Sequence, residues 1–368
     1  MISLELGMTS AELLGRRLAG VMLTGKPATT AGQVVQTLGA VQAQDFAGAK
    51  WALAQRTRGL TDADVEREFA SGAFLRTHVL RPTWHFVRPE DIRWMLALTA
   101  PRVKAKMKQS GPSLATLESV FPRSNAAIEK ALSGGKHLTR TELASAIERA
   151  GVKIEPTQRL GHMMMRAELD AIVCSGPRRG KQQTYALIEE RVPPTPTIER
   201  DEALLRLTLL YFSTRGPATL QDCAWWSGLT IADVKRGVDI AGKELERIDI
   251  DDTSYWFAER SVPRTRPAAM LLPNYDEYFI GYKNRDAIAA RVGTASAVIG
   301  GNALISNVAF VDGQLIGTWR RVAGKKRTVV PIKLGCKLSA NERSLVDAAL
   351  ERYAKFLGEP VDAEFLQR

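Results

Sequence analysis

Three times along this chain the same local phrase recurs: a helix-capping box, a short apolar-periodic helix, a turn, a second helix and a hairpin-like segment. In such a box a Ser or Thr side chain accepts from a backbone N–H one turn into the helix. An acid or amide three residues on accepts from the cap's own N–H in return. The three boxes are Thr30 with Gln33, Thr139 with Glu142, and Thr219 with Asp222. They open QVVQTLGAV, ELASAIERAG and DCAWWSGL, and the second helices read AGAKWALAQRT, QRLGHMMMRAELDAI and IADVKRGVDIAG. The hairpins read FLRTHVLRPTWHFV, IVCSGPRRGKQQTYALI and LERIDIDDTSYWFAE. A helix pair followed by a two-stranded ribbon is the grammar of a winged helix. Its second helix enters the DNA major groove, and the ribbon lies along the backbone or in the minor groove. The expectation is an α+β chain of three tandem winged-helix modules.

Proline-rich stretches at 192–197 and 261–267 read as linkers. Beyond the second, short strands are separated by turns at Asp312-Gly313 and Gly324-Lys325, which predicts a meander or small barrel. Ser339 and Glu342 form a fourth box that opens a terminal helix closed by Gly358 and Pro360. The expected division is 1–130, 131–195 and 196–262 for the three modules, and 263–368 for the β-rich element with its terminal helix.

Charge narrows the partner. The 51 Lys and Arg against 40 Asp and Glu give a net charge of +11, which favours a polyanion, either nucleic acid or an anionic membrane surface. No stretch approaches the ~20 apolar residues that span a bilayer. The start, MISLELGMTSAELLGRRL, lacks the features of a signal peptide. A cytoplasmic, nucleoid-associated location and no membrane role are expected. Cys174, Cys223 and Cys336 lie far apart, and His78, His85, His137 and His162 show no ligand spacing. Neither a disulfide framework nor a metal site is predicted, and no cofactor.

The segment Val41-Gln42-Ala43-Gln44-Asp45 lies between the first two helices. Asp45 suits the N-cap of the second. Gln42 and Gln44, two apart in extended backbone, point the same way and bring two neutral amides to one place. Glutamines in a turn also commonly just face solvent. The adjoining ribbon, 75–87, carries Arg76, His78, Arg81 and His85 beside Trp84. Cations and aromatics of this kind suit a distorted minor groove, with Trp84 and Phe86 as core and Arg81 and His85 outward. Arg178, Arg179 and Lys181 at the second ribbon tip are candidate phosphate contacts. So are Arg320 and Lys325 at a strand turn, in a cluster with Arg321, Lys326 and Arg327. The run Met163-Met164-Met165 reads as core filler.

Gln42-Ala43-Gln44 resembles the Q-x-Q motif of the AlkZ-type winged-helix DNA glycosylases, bacterial enzymes similar to azinomycin-resistance proteins that unhook interstrand crosslinks. The stretches LGAVQAQDFAGAKWALAQR, LRTHVLRPTWHFV, LLPNYDEYFIGYKNR and VDGQLIGTWRR resemble the same family in that order, over nearly the whole chain. A sister branch, the AlkX (YcaQ) type, carries an acid where Gln44 stands. The resemblance implies monofunctional hydrolysis of the N-glycosidic bond of an N7-alkylated purine in double-stranded DNA. Gln42 and Gln44 would be the catalytic pair, with Asp45 as the acidic alternative. Tyr275-Asp276-Glu277 matches a family motif without suggesting a role. The rival expectation is a non-catalytic winged-helix regulator, typically a dimer on a palindrome; a glycosylase is expected to act as a monomer.

Overall fold

The computed structural model describes residues 8–109, 117–155, 158–250, 252–258, 267–296, 306–324 and 327–366. Helix α1 (Ser10–Gly20) precedes a first unit of α2 (Ala31–Leu38), β1 (Ala40–Gln42), α3 (Phe46–Ala54), α4 (Asp62–Ser71), β2 (Leu75–Val79) and β3 (Thr83–Val87). Helix α5 (Pro89–Gln109) leads to a second unit. It comprises α6 (Phe121–Leu132), β4 (Leu138–Thr139), α7 (Arg140–Arg149), α8 (Gln158–Leu169), β5 (Val173–Ser175) and β6 (Thr184–Leu187). The third unit is α9 (Arg200–Arg215), α10 (Leu220–Ser227), α11 (Ile231–Ala241), β7 (Glu246–Ile250) and β8 (Thr253–Phe257).

Each unit builds its own small antiparallel sheet, in the orders β1-β3-β2, β4-β6-β5 and β7-β8. In the third, Ala218 bridges Trp256 and stands where the others have a leading strand. Each unit therefore reads helix, strand or bridge, helix, helix, ribbon. That corrects the phase expected from the caps. The boxes at Thr139 and Thr219 open the second helix of their units, whereas Thr30 opens the first helix of its own. The helix before the first ribbon is α4, opened by a full box of Thr61 and Asp64, rather than α3. A cap marks where a helix starts and carries no record of which helix of the unit it is. The Thr30 box is half made, because the Gln33 amide oxygen accepts from Thr29 N–H instead.

The C-terminal part contains β9 (Ala269–Leu272), α12 (Glu277–Ile280), β10 (Asn307–Val311), β11 (Gln314–Trp319), β12 (Val322–Ala323), β13 (Thr328–Leu334), α13 (Ala340–Leu357) and β14 (Val361–Leu366). Its sheet is an open meander, β12-β13-β11-β10-β9, not a closed barrel. Asp312 (φ 50°) and Gly313 (φ 78°) make the two-residue turn that such a pair requires. After α13 the chain returns as β14, parallel to β13, a strand outside the meander expected for this part.

Two cores hold these parts. One, around Phe121, Ile128, Leu143, Ile147, Met163 and Val173, belongs to the second unit. It takes in α6. The other core is continuous through the first and third units and the C-terminal sheet. Trp51 on α3 shows the join: its Nε1 donates to Leu271 O at 2.7 Å, and its ring lies 5.0 Å from those of Tyr353 and Phe356 on α13. The sheet is thereby fixed against the Gln42 segment. No helix among the described residues is long and apolar enough to cross a membrane.

Candidate active site and nucleic-acid interface

Strand β1 ends at Gln42, which pairs in register with His85 on β3. Ala43 N–H donates to Trp84 O at 2.7 Å, so pairing runs one residue past the strand. Gln42 is 4% exposed and is gripped twice. Its main-chain N–H donates to Glu277 Oε1 at 2.8 Å, and its side-chain Oε1 accepts from Arg81 Nη2 at 2.6 Å. Gln44 is exposed, and its Oε1 accepts from Trp84 N–H at 3.3 Å. One hairpin thus orients both amides through their carbonyl oxygens, each of which keeps a second lone pair. Neither –NH2 has a protein partner among the described residues.

The support beneath Gln42 is a pair of fully buried ion pairs. Glu277 Oε2 accepts from Arg215 Nη2 at 2.6 Å and from Trp226 Nε1 at 2.8 Å. Arg215 also donates to Leu38 O and Ala40 O, on either side of the turn that leads into β1. Asp276 takes Arg56 in a fork, both contacts at 2.8 Å, and caps α12 through Tyr278 N–H. Arg56, Arg215, Asp276 and Glu277 are each at most 1% exposed. Charges so deep are tolerated only when paired and hydrogen-bonded. Tyr275 delivers the two acids from a left-handed backbone, φ 63°, which is strained for a tyrosine. This gives Tyr275-Asp276-Glu277, a motif without a role at the level of sequence, a structural task. Local pattern does not announce the four buried charges, although two acids inside the aromatic run YDEYF are a signal.

The ribbon residues divide. Arg76 folds back over the motif: its Nε donates to Ala43 O at 2.9 Å and its head lies 4.3 Å from the Trp84 ring. Burial pushes its pKa down, as it does that of Arg81, which falls to about 10 with Arg285 and Arg215 adding repulsion. His78 and His85 are buried, against the expectation of an outward His85. β3 is the central strand with both faces covered, so alternation does not separate inside from outside. His85 Nδ1 donates to Thr83 O at 2.9 Å, and burial with Arg81 nearby holds the ring neutral, far below the usual histidine range. His78 pairs with Glu168 of α8. Trp84 is only half-buried, with the His78 ring tilted against it and the Arg76 head over it.

Asp45 occupies the N-cap of α3 but makes no side-chain cap bond, and its carboxylate remains exposed. Arg178 is turned inward, donating to Glu66 Oε2 on α4 at 2.9 Å. Arg179 pairs with Glu142, while Lys181 and Arg320 are exposed. Lys325 and Lys326 lie outside the described residues, and Arg321 and Arg327 pair with Glu359 and Asp362. Among the described residues no group of three or more His, Cys, Asp or Glu side chains is placed to hold a metal ion.

The chain is 27% identical over 328 residues to the interstrand DNA cross-link repair glycosylase of Streptomyces sahachiroi, covering 84% of this chain and 87% of that protein. The solved structure of the Streptomyces sahachiroi DNA glycosylase AlkZ superposes with a TM-score of 0.77 at 21% identity, over 98% of this chain and 100% of that one, which shows a shared fold. The family described as DNA glycosylase AlkZ-like matches residues 35–356, and the chain belongs to that family.

Proposed function

We propose that this monofunctional glycosylase hydrolyses the N-glycosidic bond of N7-alkylated purines in duplex DNA, including bases tied into an interstrand crosslink, with Gln42 and Gln44 as the catalytic pair. The observation that carries the reading is the clamped neutral pair: two amides oriented by one hairpin, the deeper held at main chain and side chain together. Alkylation at N7 makes the base cationic and a good leaving group. Bond breaking then builds positive charge on the sugar. The free lone pairs of the two carbonyls face that charge or hold the attacking water, pre-oriented before the reaction. Release of a base already poised to leave needs no strong carboxylate base.

The three helix-helix-ribbon units act as tandem winged helices that cradle the duplex, with α4, α8 and α11 in the groove-facing role and α6 counted with the second module. Arg76, Arg179, Lys181 and Arg320 contribute phosphate contacts. The enzyme works as a monomer on cytoplasmic, nucleoid DNA. A crosslinked base cannot be fully extruded, because it is tied to the opposite strand. The uncapped carboxylate of Asp45 supports a second reading, in which it activates the water beside Gln44. Incubation with duplexes carrying 7-methylguanine or an N7-linked crosslink tests the proposal. Free base and separated strands on a denaturing gel are expected; intact substrate in both cases would remove the reading.

A further inference from the structure

Two arginines beside the amide pair have no partner that explains them. Arg81 and Arg285 each lie over the Trp225 ring, 5.8 Å from its centroid. Both are half-buried. Arg81 gives Nη2 to Gln42 and Arg285 gives Nε to Phe279 O at 2.8 Å, and neither pairs with a carboxylate among the described residues. The acids nearest in charge are already taken. Glu277 serves Arg215, Trp226 and Gln42, and Asp222 accepts from Thr219, Lys283 and Asn284. Arg81 Nε and Arg285 Nη2 are buried without any acceptor among the described residues. Two partly desolvated cations with unfilled donors beside one another favour an anion at this place.

What would bind is an anion shaped for two guanidinium forks. Arg285 also faces an open cleft of about 990 Å³ with Gln221, Ser254, Lys283 and Asn284, and with Asp252 and Asp286 on the same wall. The cleft is broad enough for a chain-like ligand. We propose that Arg81 and Arg285 seat a backbone phosphodiester of the DNA next to the damaged nucleotide. The contact would neutralise the pair's repulsion. Arg81 would then be a positioning residue, holding a phosphate with one edge of its head and the Gln42 carbonyl with another. Backbone docking and amide orientation would be set by the same side chain. This rests on the glycosylase reading for the identity of the polyanion but not for the site itself.

The test is a scan of duplexes carrying one 7-methylguanine and a single neutral methylphosphonate linkage, moved stepwise along both strands, with Kd measured for wild type, Arg285→Gln and Arg285→Lys. Wild type should lose about tenfold in affinity at one linkage near the lesion, the worth of a charge-assisted hydrogen bond. Arg285→Gln should bind the native duplex more weakly and pay a smaller penalty at that linkage, because Arg81 still holds the phosphate. Arg285→Lys should retain more of the penalty, which also shows that the position tolerates substitution. An undiminished penalty in Arg285→Gln at every linkage would overturn the proposal. Displacement of DNA by millimolar inorganic phosphate without any methylphosphonate effect would overturn it too, by assigning the pair to a free anion. Base release is read separately: a reduced penalty without base release keeps the phosphate seat and removes the glycosylase reading.

Discussion

Replacing Glu277 by Gln keeps the shape and removes the charge on which the first strand of the site is hung. Glu277 accepts from Gln42 N–H, Arg215 and Trp226 at once, and both members of the ion pair are at most 1% exposed. The amide has one oxygen in place of two, so at least one of these partners is left without an acceptor, and Arg215 keeps a buried charge without a counterion. Breaking such a pair from one side costs about 3–5 kcal/mol. Urea unfolding followed by tryptophan fluorescence should show that loss in the larger body, because no tryptophan lies within 117–187, the segment that builds the second core. The double variant Glu277→Leu/Arg215→Met removes both charges and should recover much of the stability, since replacing a buried pair by apolar groups is often neutral. It should not recover base release, because Gln42 N–H still lacks its anchor. Stability of Glu277→Gln within about 1 kcal/mol of wild type would refute the inference that this pair holds the site.

Three further outcomes follow from the same geometry. Asp45→Asn should leave the single-turnover rate within a few-fold if the amides carry the reaction; a drop of about 10²-fold or more, the lower end for general base catalysis, would transfer the role to Asp45. His85 is held neutral in the fold with its pKa depressed, so the unfolded chain takes up its proton first and stability falls as pH drops below about 6.5. His85→Gln should flatten that part of the curve, measured as unfolding free energy from pH 7 to pH 5, and an unchanged slope would contradict the assignment. Arg179→Ala with Lys181→Ala should shallow the log–log salt dependence of duplex binding by about 0.9 for each phosphate that is no longer neutralised; an unchanged slope would take the second ribbon off the DNA.

What is legible in the sequence is what local chemistry writes. The boxes at Thr139, Thr219 and Ser339 are all made in full, and the Asp312-Gly313 turn joins the strands expected on either side of it. Met163 and Met164 are core. The motif at Gln42 and Gln44 stands out because polar residues in extended chain between two helices need a reason. The rest depends on distant parts of the chain. Arg56 meets Asp276 across 220 residues and Arg215 meets Glu277 across 62. The burial of His85 depends on the central place of β3, set by pairing with β1 more than 40 residues earlier in the chain. The place of α3 has a local cause instead: a further box, Thr61 with Asp64, opens α4 directly ahead of the ribbon, and a reading of three boxes leaves it out.

The most direct test of the account is single-turnover release of 7-methylguanine from duplex DNA by wild type, Gln42→Ala and Gln44→Ala, with duplex Kd measured in parallel. Each variant should slow base release by about 10²–10³-fold, the usual worth of one oriented polar interaction with a transition state, with Kd little changed because neither side chain is charged. Full activity in the double variant, or equal loss of binding and rate, would contradict a catalytic role for the pair.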